Sequence, residues 1–179
     1  MPLFSSRVPL RISSPVNPWP FAEASALRNL LLILALFFQT TCLAHESAIV
    51  EACTNLVHNY AYSRDHHNAD DYANVFAQNG VFLFRGQRFE GRGAIRQRML
   101  DSVGQTTRHV MSNIQVTVEN PEKASIVSYV TVTIATTNEL PIKASGTTAL
   151  GEYHDVCVKT LEGWKLQKRQ FVDVFMFGD

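Results

Sequence analysis

Residues Ile114–Ile134 read IQVTVENPEKASIVSYVTVTI, and their period decides the fold. Ile114, Val116 and Val118 alternate with Gln115, Thr117 and Glu119. After Asn120-Pro121-Glu122, Ala124, Ile126, Val130, Val132 and Ile134 again share one parity. A period of two is that of a strand with one buried face, and Asn-Pro-Glu between two such runs is a turn. Two further long strands follow, from about Gly146 to Thr160 and from Trp164 to Phe177, separated by Glu162-Gly163. Long strands joined in succession by short turns predict an antiparallel sheet.

Upstream the period is helical. Ile49, Cys53, Leu56 and Tyr60 recur at steps of four, three and four, with Ala52, Val57 and Ala61 alongside, which predicts an amphipathic helix from about Glu46 to Arg64. The polar break Asp65-His66-His67-Asn68 follows, with Asn68 placed to cap a short helix over Ala69–Ala77 that turns Tyr72, Val75 and Phe76 inward. Asn79-Gly80 is a turn signal, Val81–Phe84 and Gln87–Glu90 read as short strands around Arg85-Gly86, and a third helix spans about Arg92–Ser102 with Ile95, Met99 and Val103 as its apolar edge. Helices first and a long meander afterwards make an α+β domain. A sheet covering three helices on one face must curve, leaving a pocket between helix and sheet lined by apolar side chains and a few polar ones.

Composition limits what the domain does. The 179 residues are 46% hydrophobic and 18% charged, too apolar for a disordered chain. Sixteen basic residues balance sixteen acidic ones, which argues against a nucleic-acid partner. Three cysteines cannot build a disulfide miniprotein, and none has metal-ligand spacing with another.

Arg28 precedes the apolar run Leu30–Phe38, and Gln39-Thr40-Thr41-Cys42-Leu43-Ala44 follows it. This basic, apolar, small-residue order is that of an export signal, and the run is about half the ~20 residues a membrane span needs. The expected organisation is a leader over 1–44, with a proline-rich extension carrying Pro2, Pro9, Pro15, Pro18 and Pro20, and a domain over 45–179. The expected location is periplasmic or secreted, with an uncleaved N-terminal membrane anchor as the alternative. Cleavage removes Arg7, Arg11, Arg28 and Glu23 and leaves a nearly neutral domain whose Cys53 and Cys157 are read as buried free thiols, although export permits a disulfide.

Several spaced residues resemble the SnoaL-like, nuclear transport factor 2-like superfamily. They are Tyr60-x-x-x-x-Asp65, Tyr72-Ala73-x-x-Phe76, Gly80-Val81-Phe82, Gly91-x-Gly93-Ala94-Ile95, Arg108-His109-x-x-x-Asn113, Gly151-x-Tyr153-x-Asp155 and Gly163-Trp164-Lys165-Leu166. The resemblance covers essentially all of the domain. It implies an α+β cone, a strongly curved antiparallel sheet wrapped around helices, often homodimeric through the sheet. It also implies either of two functions. One is cofactor-free lyase or isomerase chemistry on a small apolar, polyketide-like or steroid-like molecule, as in the dehydratase, dehydrochlorinase and ketosteroid isomerase branches. The other is a non-catalytic ligand-binding or dimerisation module, because one fold hosts many functions. In the dehydratase and dehydrochlorinase branches an Asp after the first helix orients a His at the start of the first long strand. Asp65 and His109 stand at those positions, and Tyr60 matches a tyrosine of the bile-acid dehydratase pattern. No residue clearly matches the second acidic residue that branch carries on its next long strand.

The candidate catalytic residues are accordingly Asp65, His109 and Tyr60. A carboxylate on one imidazole nitrogen fixes the tautomer and leaves the other nitrogen to accept a proton from carbon, while a phenol donates to a substrate oxygen. Each also has a plainer reading: Asp65 as a turn residue satisfied by backbone N–H groups, His109 as a satisfied core histidine, Tyr60 as a core aromatic. Tyr62, Tyr129, Tyr153 and Asp173 are the candidate substrate-binding residues. On the last strand Arg169, Phe171, Asp173, Phe175 and Phe177 share one parity, read as a sheet opening or dimer interface ahead of a cavity wall. Tyr153 and Asp155 lie opposite His154, and parity alone leaves open which set points inward. Asp65, His66, His67, Asp70 and Asp71 read as a solvated turn, so no metal is expected. Arg85, Arg88, Arg92, Arg96, Arg98 and Arg108 read mostly as a solvated face.

Overall fold

Helix α1 spans Pro20–Asp65, the predicted amphipathic helix continued backwards through the apolar run. The computed structural model describes residues 20–102, 104–137, 139–143 and 149–176. The expectations for Pro2, Pro9, Pro15, Pro18, Val103, Gly146 and Phe177 lie outside these residues. The chain divides into two compact units, 1–41 and 42–179. In the first, Leu27, Leu30, Leu31, Leu32, Ile33, Leu34 and Leu36 are all exposed. Among the described residues no helix is long and apolar enough to cross a membrane.

In the second unit α1 buries Ile49, Cys53, Leu56, Val57 and Tyr60, the stripe its spacing predicts. Its end is closed by a Schellman turn. Asn68 N–H donates to Ser63 C=O at 3.0 Å and His67 N–H to Arg64 C=O at 3.4 Å, with His67 in the left-handed region at φ 55°. Asn68 then caps α2 (Ala69–Asn74), its side chain accepting from Asp71 N–H at 3.1 Å. The helix is shorter than predicted because Phe76 already belongs to strand β1 (Phe76–Phe84). Strand β2 (Gln87–Glu90) folds back on β1 around Arg85-Gly86, and α3 (Gly91–Leu100) buries Ile95 and Met99.

Four long strands complete the chain: β3 (Thr106–Asn120), β4 (Lys123–Ala135), β5 (Ala149–Thr160) and β6 (Gly163–Met176). The curved sheet has the order β2-β1-β6-β5-β4-β3, antiparallel except that β1 runs parallel to β6. The fold is the α+β arrangement read from the sequence. Cys53 of α1 and Cys157 of β5 are free thiols that meet in the core within sulfur hydrogen-bond reach.

Three bulges set which side chains face the helices. At Asn113 (φ 48°) the β3–β4 register shifts, so Thr107, His109 and Met111 face inward on one parity and Ile114, Val116 and Val118 on the other. Between Lys168 and Leu166 the β5–β6 register also shifts, turning Leu166, Arg169 and Phe171 all inward. A third shift lies between Asp173 and Phe175, where Val174 is the extra residue. It ends the aromatic face that sequence parity extends through Phe175, which is exposed. Gly151 sits beside this bulge because any Cβ there would strike Val172 C=O and the Phe171 ring.

Candidate functional site

The C-terminus of α1 and the start of β3 are tied together by one carboxylate. Asp65 Oδ1 accepts from His109 Nδ1 at 2.6 Å and from Thr107 Oγ1 at 2.8 Å, and Oδ2 accepts from His109 N–H at 2.8 Å. Burial pushes the Asp65 carboxyl up, but the hydrogen bonds and charge of His109, with Thr107, outweigh it and hold the carboxyl below its ordinary value. With Nδ1 committed to Asp65, Nε2 is the ring nitrogen left, and it has no hydrogen-bond partner among the described residues.

The His109 ring lines a cavity with Tyr60, Phe84, Arg98, Tyr153 and Phe171 among its walls. The inner chamber encloses about 50 Å³ of free space. It shares Arg64, Phe84, Arg85, Arg98 and Ile134 with an outer vestibule of about 330 Å³.

Tyr60 is buried edge-on to His109, ring centroids 6.2 Å apart. Its hydroxyl ends a chain of donors. Arg98 Nη1 donates to Tyr72 Oη at 3.0 Å, and Tyr72 Oη–H donates to Tyr60 Oη at 3.3 Å. Tyr153 Oη–H makes a longer contact to the same oxygen at 3.5 Å. Tyr60 accepts from Tyr72 on this side, and it lines the cavity wall. Burial pushes the Tyr60, Tyr72 and Tyr153 phenols up, so all three remain protonated donors.

Beneath them lies a second carboxylate pair. Arg169 and Asp155 are fully buried and bonded bidentately, Nε to Oδ1 at 2.9 Å and Nη2 to Oδ2 at 2.6 Å. The guanidinium carbon sits 4.1 Å from the Tyr60 ring centroid and 4.3 Å from that of Tyr153. This corrects the reading of Arg169 as an interface residue, and it settles the β5 parity: Tyr153 and Asp155 face inward and His154 is exposed.

The structure brings Asp65, His109, Tyr60 and Tyr153 together and leaves other candidates out. Tyr62 is 67% exposed on the far side of α1, stacked on His66. Tyr129 is 45% exposed on the outer face of β4, where its neighbours Ser128 and Val130 take the inner one. Neither lines the cavity. Asp173 does not line it either; it grips Arg85 at the mouth through contacts of 2.7 to 3.2 Å. Arg88 and Arg96 are exposed and ion-paired, as a solvated face requires. Arg98 departs from that reading, lying 4.8 Å from the Phe82 ring centroid and 4.6 Å from that of Phe84, in the cavity wall. Among the described residues no group of three or more His, Cys, Asp or Glu could hold a metal ion.

Residues 45–170 match the SnoaL-like domain. The chain belongs to this family. Its fold is similar to several solved structures. One is a protein of unknown function from Mycobacterium tuberculosis, 20% identical over 73% of this chain and 75% of that one, with a TM-score of 0.65. Another is a candidate scytalone dehydratase from Novosphingobium aromaticivorans, 21% identical over 75% and 89%, TM-score 0.65. A third is a nuclear transport factor 2-like protein with a cystatin-like fold from the same organism, 19% identical over 75% and 89%, TM-score 0.61. Among curated proteins none matches the chain. At these identities the likeness speaks for the SnoaL-like fold alone.

Proposed function

We propose that this SnoaL-like domain is a cofactor-free lyase or isomerase whose base is His109 Nε2. The observation that carries the reading is the Asp65 carboxylate 2.6 Å from His109 Nδ1, on a ring that lines an apolar cavity. Asp65 fixes the Nδ1–H tautomer, so Nε2 holds the lone pair. That lone pair takes a proton from carbon next to a carbonyl, and the electron pair left on carbon shifts toward the carbonyl oxygen. Asp65 stabilises the imidazolium as it forms, and the Tyr60 hydroxyl donates to the developing oxyanion. In an elimination the leaving hydroxyl departs as water with the proton carried by His109, and a double bond remains. In an isomerisation His109 returns the proton to a different carbon.

The test needs no leaving group. Small cyclic ketones are incubated with the protein in D2O and the loss of α-proton signal is followed by NMR. Exchange by the wild type that is lost in His109→Ala and Asp65→Asn, both still folded by circular dichroism, supports the reading; no exchange above buffer across the panel sinks it.

The N-terminal residues 1–44 are proposed to be an export leader and the chain to be exported. The SnoaL-like match beginning at residue 45 and the exposed leucines of 27–36 support this. Mass spectrometry of the mature protein should find His45 at its N-terminus; an intact N-terminus counts against cleavage.

A further inference from the structure

Two guanidinium groups where chamber meets vestibule have no carboxylate to answer them. Arg64 is only 6% exposed; its Nη2 reaches the neutral Gln105 Oε1 at 3.4 Å, and its buried Nη1 has no hydrogen-bond partner among the described residues. Arg98 donates to the Tyr72 hydroxyl at 3.0 Å and otherwise lies over the Phe82, Phe84 and Phe89 rings. Both arginines line both spaces. The neighbouring carboxylates are engaged elsewhere: Asp65 by Thr107 and His109, Asp173 by Arg85, and Asp101, which lines the vestibule, by Gln97 Nε2 at 2.8 Å. A buried guanidinium donor without an acceptor is costly, and its planar fork matches a carboxylate.

We infer that Arg64 and Arg98 form an anion subsite that binds a carboxylate on the ligand, while the ligand's apolar ring enters the inner chamber toward His109. The inference rests on this cavity being the ligand site and not on the acid–base chemistry proposed for it. The two volumes fix the order of parts. The inner chamber takes a ring edge, and the charged group stays at the neck, where the arginines are. A carboxylate is the smaller, planar oxyanion that a guanidinium fork pairs with, and it suits the narrow neck between a chamber of about 50 Å³ and the vestibule. The ligand class is therefore a small arene or alicyclic carboxylate.

The experiment titrates 2-naphthoate, the neutral isostere 2-naphthamide and 2-naphthyl phosphate into the protein by calorimetry. Naphthoate is expected to bind at least tenfold more tightly than naphthamide, and naphthyl phosphate more weakly than naphthoate. In Arg64→Met the preference for naphthoate over naphthamide shrinks to within about twofold, and Arg98→Met reduces it in the same direction. The wild-type comparison decides even where a variant fails to fold. Equal affinity for naphthoate and naphthamide, no binding of either, or tighter binding of naphthyl phosphate overturns the inference. Asp65→Asn separates the two proposals. If no protein exchanges α-protons yet the naphthoate preference survives in this variant, the subsite stands and the catalytic reading falls. If the preference is absent while exchange is present, the reverse holds.

Discussion

Asp65–His109 and Asp155–Arg169 are buried carboxylate pairs with contacts of the same length, 2.6 Å, and opposite character. Asp65–His109 joins the end of α1 to the start of β3 at the cavity wall. Asp155–Arg169 joins β5 to β6 with both side chains 0% exposed, under the rings of Tyr60 and Tyr153. Burial lowers the Arg169 guanidinium, but Asp155 and the two tyrosines raise it further, so it stays charged. A guanidinium does not surrender its proton in a protein, whereas an imidazole exchanges one near neutral pH. The lower pair is therefore fixed architecture that positions the tyrosines. The upper pair is the one on which the proposed proton transfer rests, because its partner is an imidazole. An aspartate stands in both pairs, and the partner distinguishes them.

The sharpest way to break this contrast is His109→Ala. Loss of a positioned general base should slow α-proton exchange by about 10²–10⁴-fold, measured by NMR in D2O. Stability should fall by only about 1–3 kcal/mol for the lost charged hydrogen bond. Exchange within threefold of wild type would mean that the upper pair is architecture too. Arg169→Met should show the opposite profile. It strands a buried carboxylate, and urea denaturation should reveal a loss of about 3–5 kcal/mol. The double change Asp155→Leu with Arg169→Met should recover most of that loss, because apolar residues of similar size replace both charges. No recovery would show that the guanidinium's stacking on the tyrosines, and not its charge pair, holds the site.

Asp65→Asn sharpens the comparison through pH. The folded Asp65 carboxyl lies below its ordinary value of 3.8, so its contribution is present above that value and fades as pH falls through the folded pKa. The stability gap between wild type and Asp65→Asn should be about 1–3 kcal/mol near pH 6 and shrink steadily below pH ~4. Urea midpoints measured from pH 3 to pH 7 check this. A gap that does not change with pH would mean that the carboxylate acts only through its shape.

Much of this was legible in the residues. Strand period and the α1 stripe give the layers, and the resemblance places Asp65 and His109. Two misplacements were also avoidable. Tyr60 and Tyr62 lie two residues, about 200°, apart on a helix, so they cannot share a face. Tyr129 has the wrong parity for a strand whose Ala124, Ile126, Val130 and Val132 are buried. The rest was hidden for a physical reason. Extending the parity of Ile114, Val116 and Val118 backwards sends His109 outward, and only the bulge at Asn113 returns it to the cavity. The same holds for Arg169 and Leu166 across the β6 bulge. Arg64 and Arg98 carry no local mark at all, since an arginine at a helix end or on a helix face is ordinarily solvated. Their burial comes from elements far away in sequence.

The smallest expected effect concerns how the upper pair is held. His67 terminates α1 two residues after Asp65 and adopts φ 55°, a conformation that is unfavourable for a residue with a Cβ and free of that cost for glycine. Its side chain is exposed, so His67→Gly removes strain and buries nothing. Glycine also loosens the unfolded chain, which offsets part of the gain. The net should be a rise of a few tenths to about 1 kcal/mol in urea denaturation, with α-proton exchange unchanged. A fall in stability would mean that His67 contributes a contact to the turn. A fall in exchange with stability intact would mean that the stiffness of this turn, and not only the carboxylate beyond it, sets the position of Asp65. The lower pair, anchored in the middle of two strands, offers no equivalent point at which one exposed residue could move it.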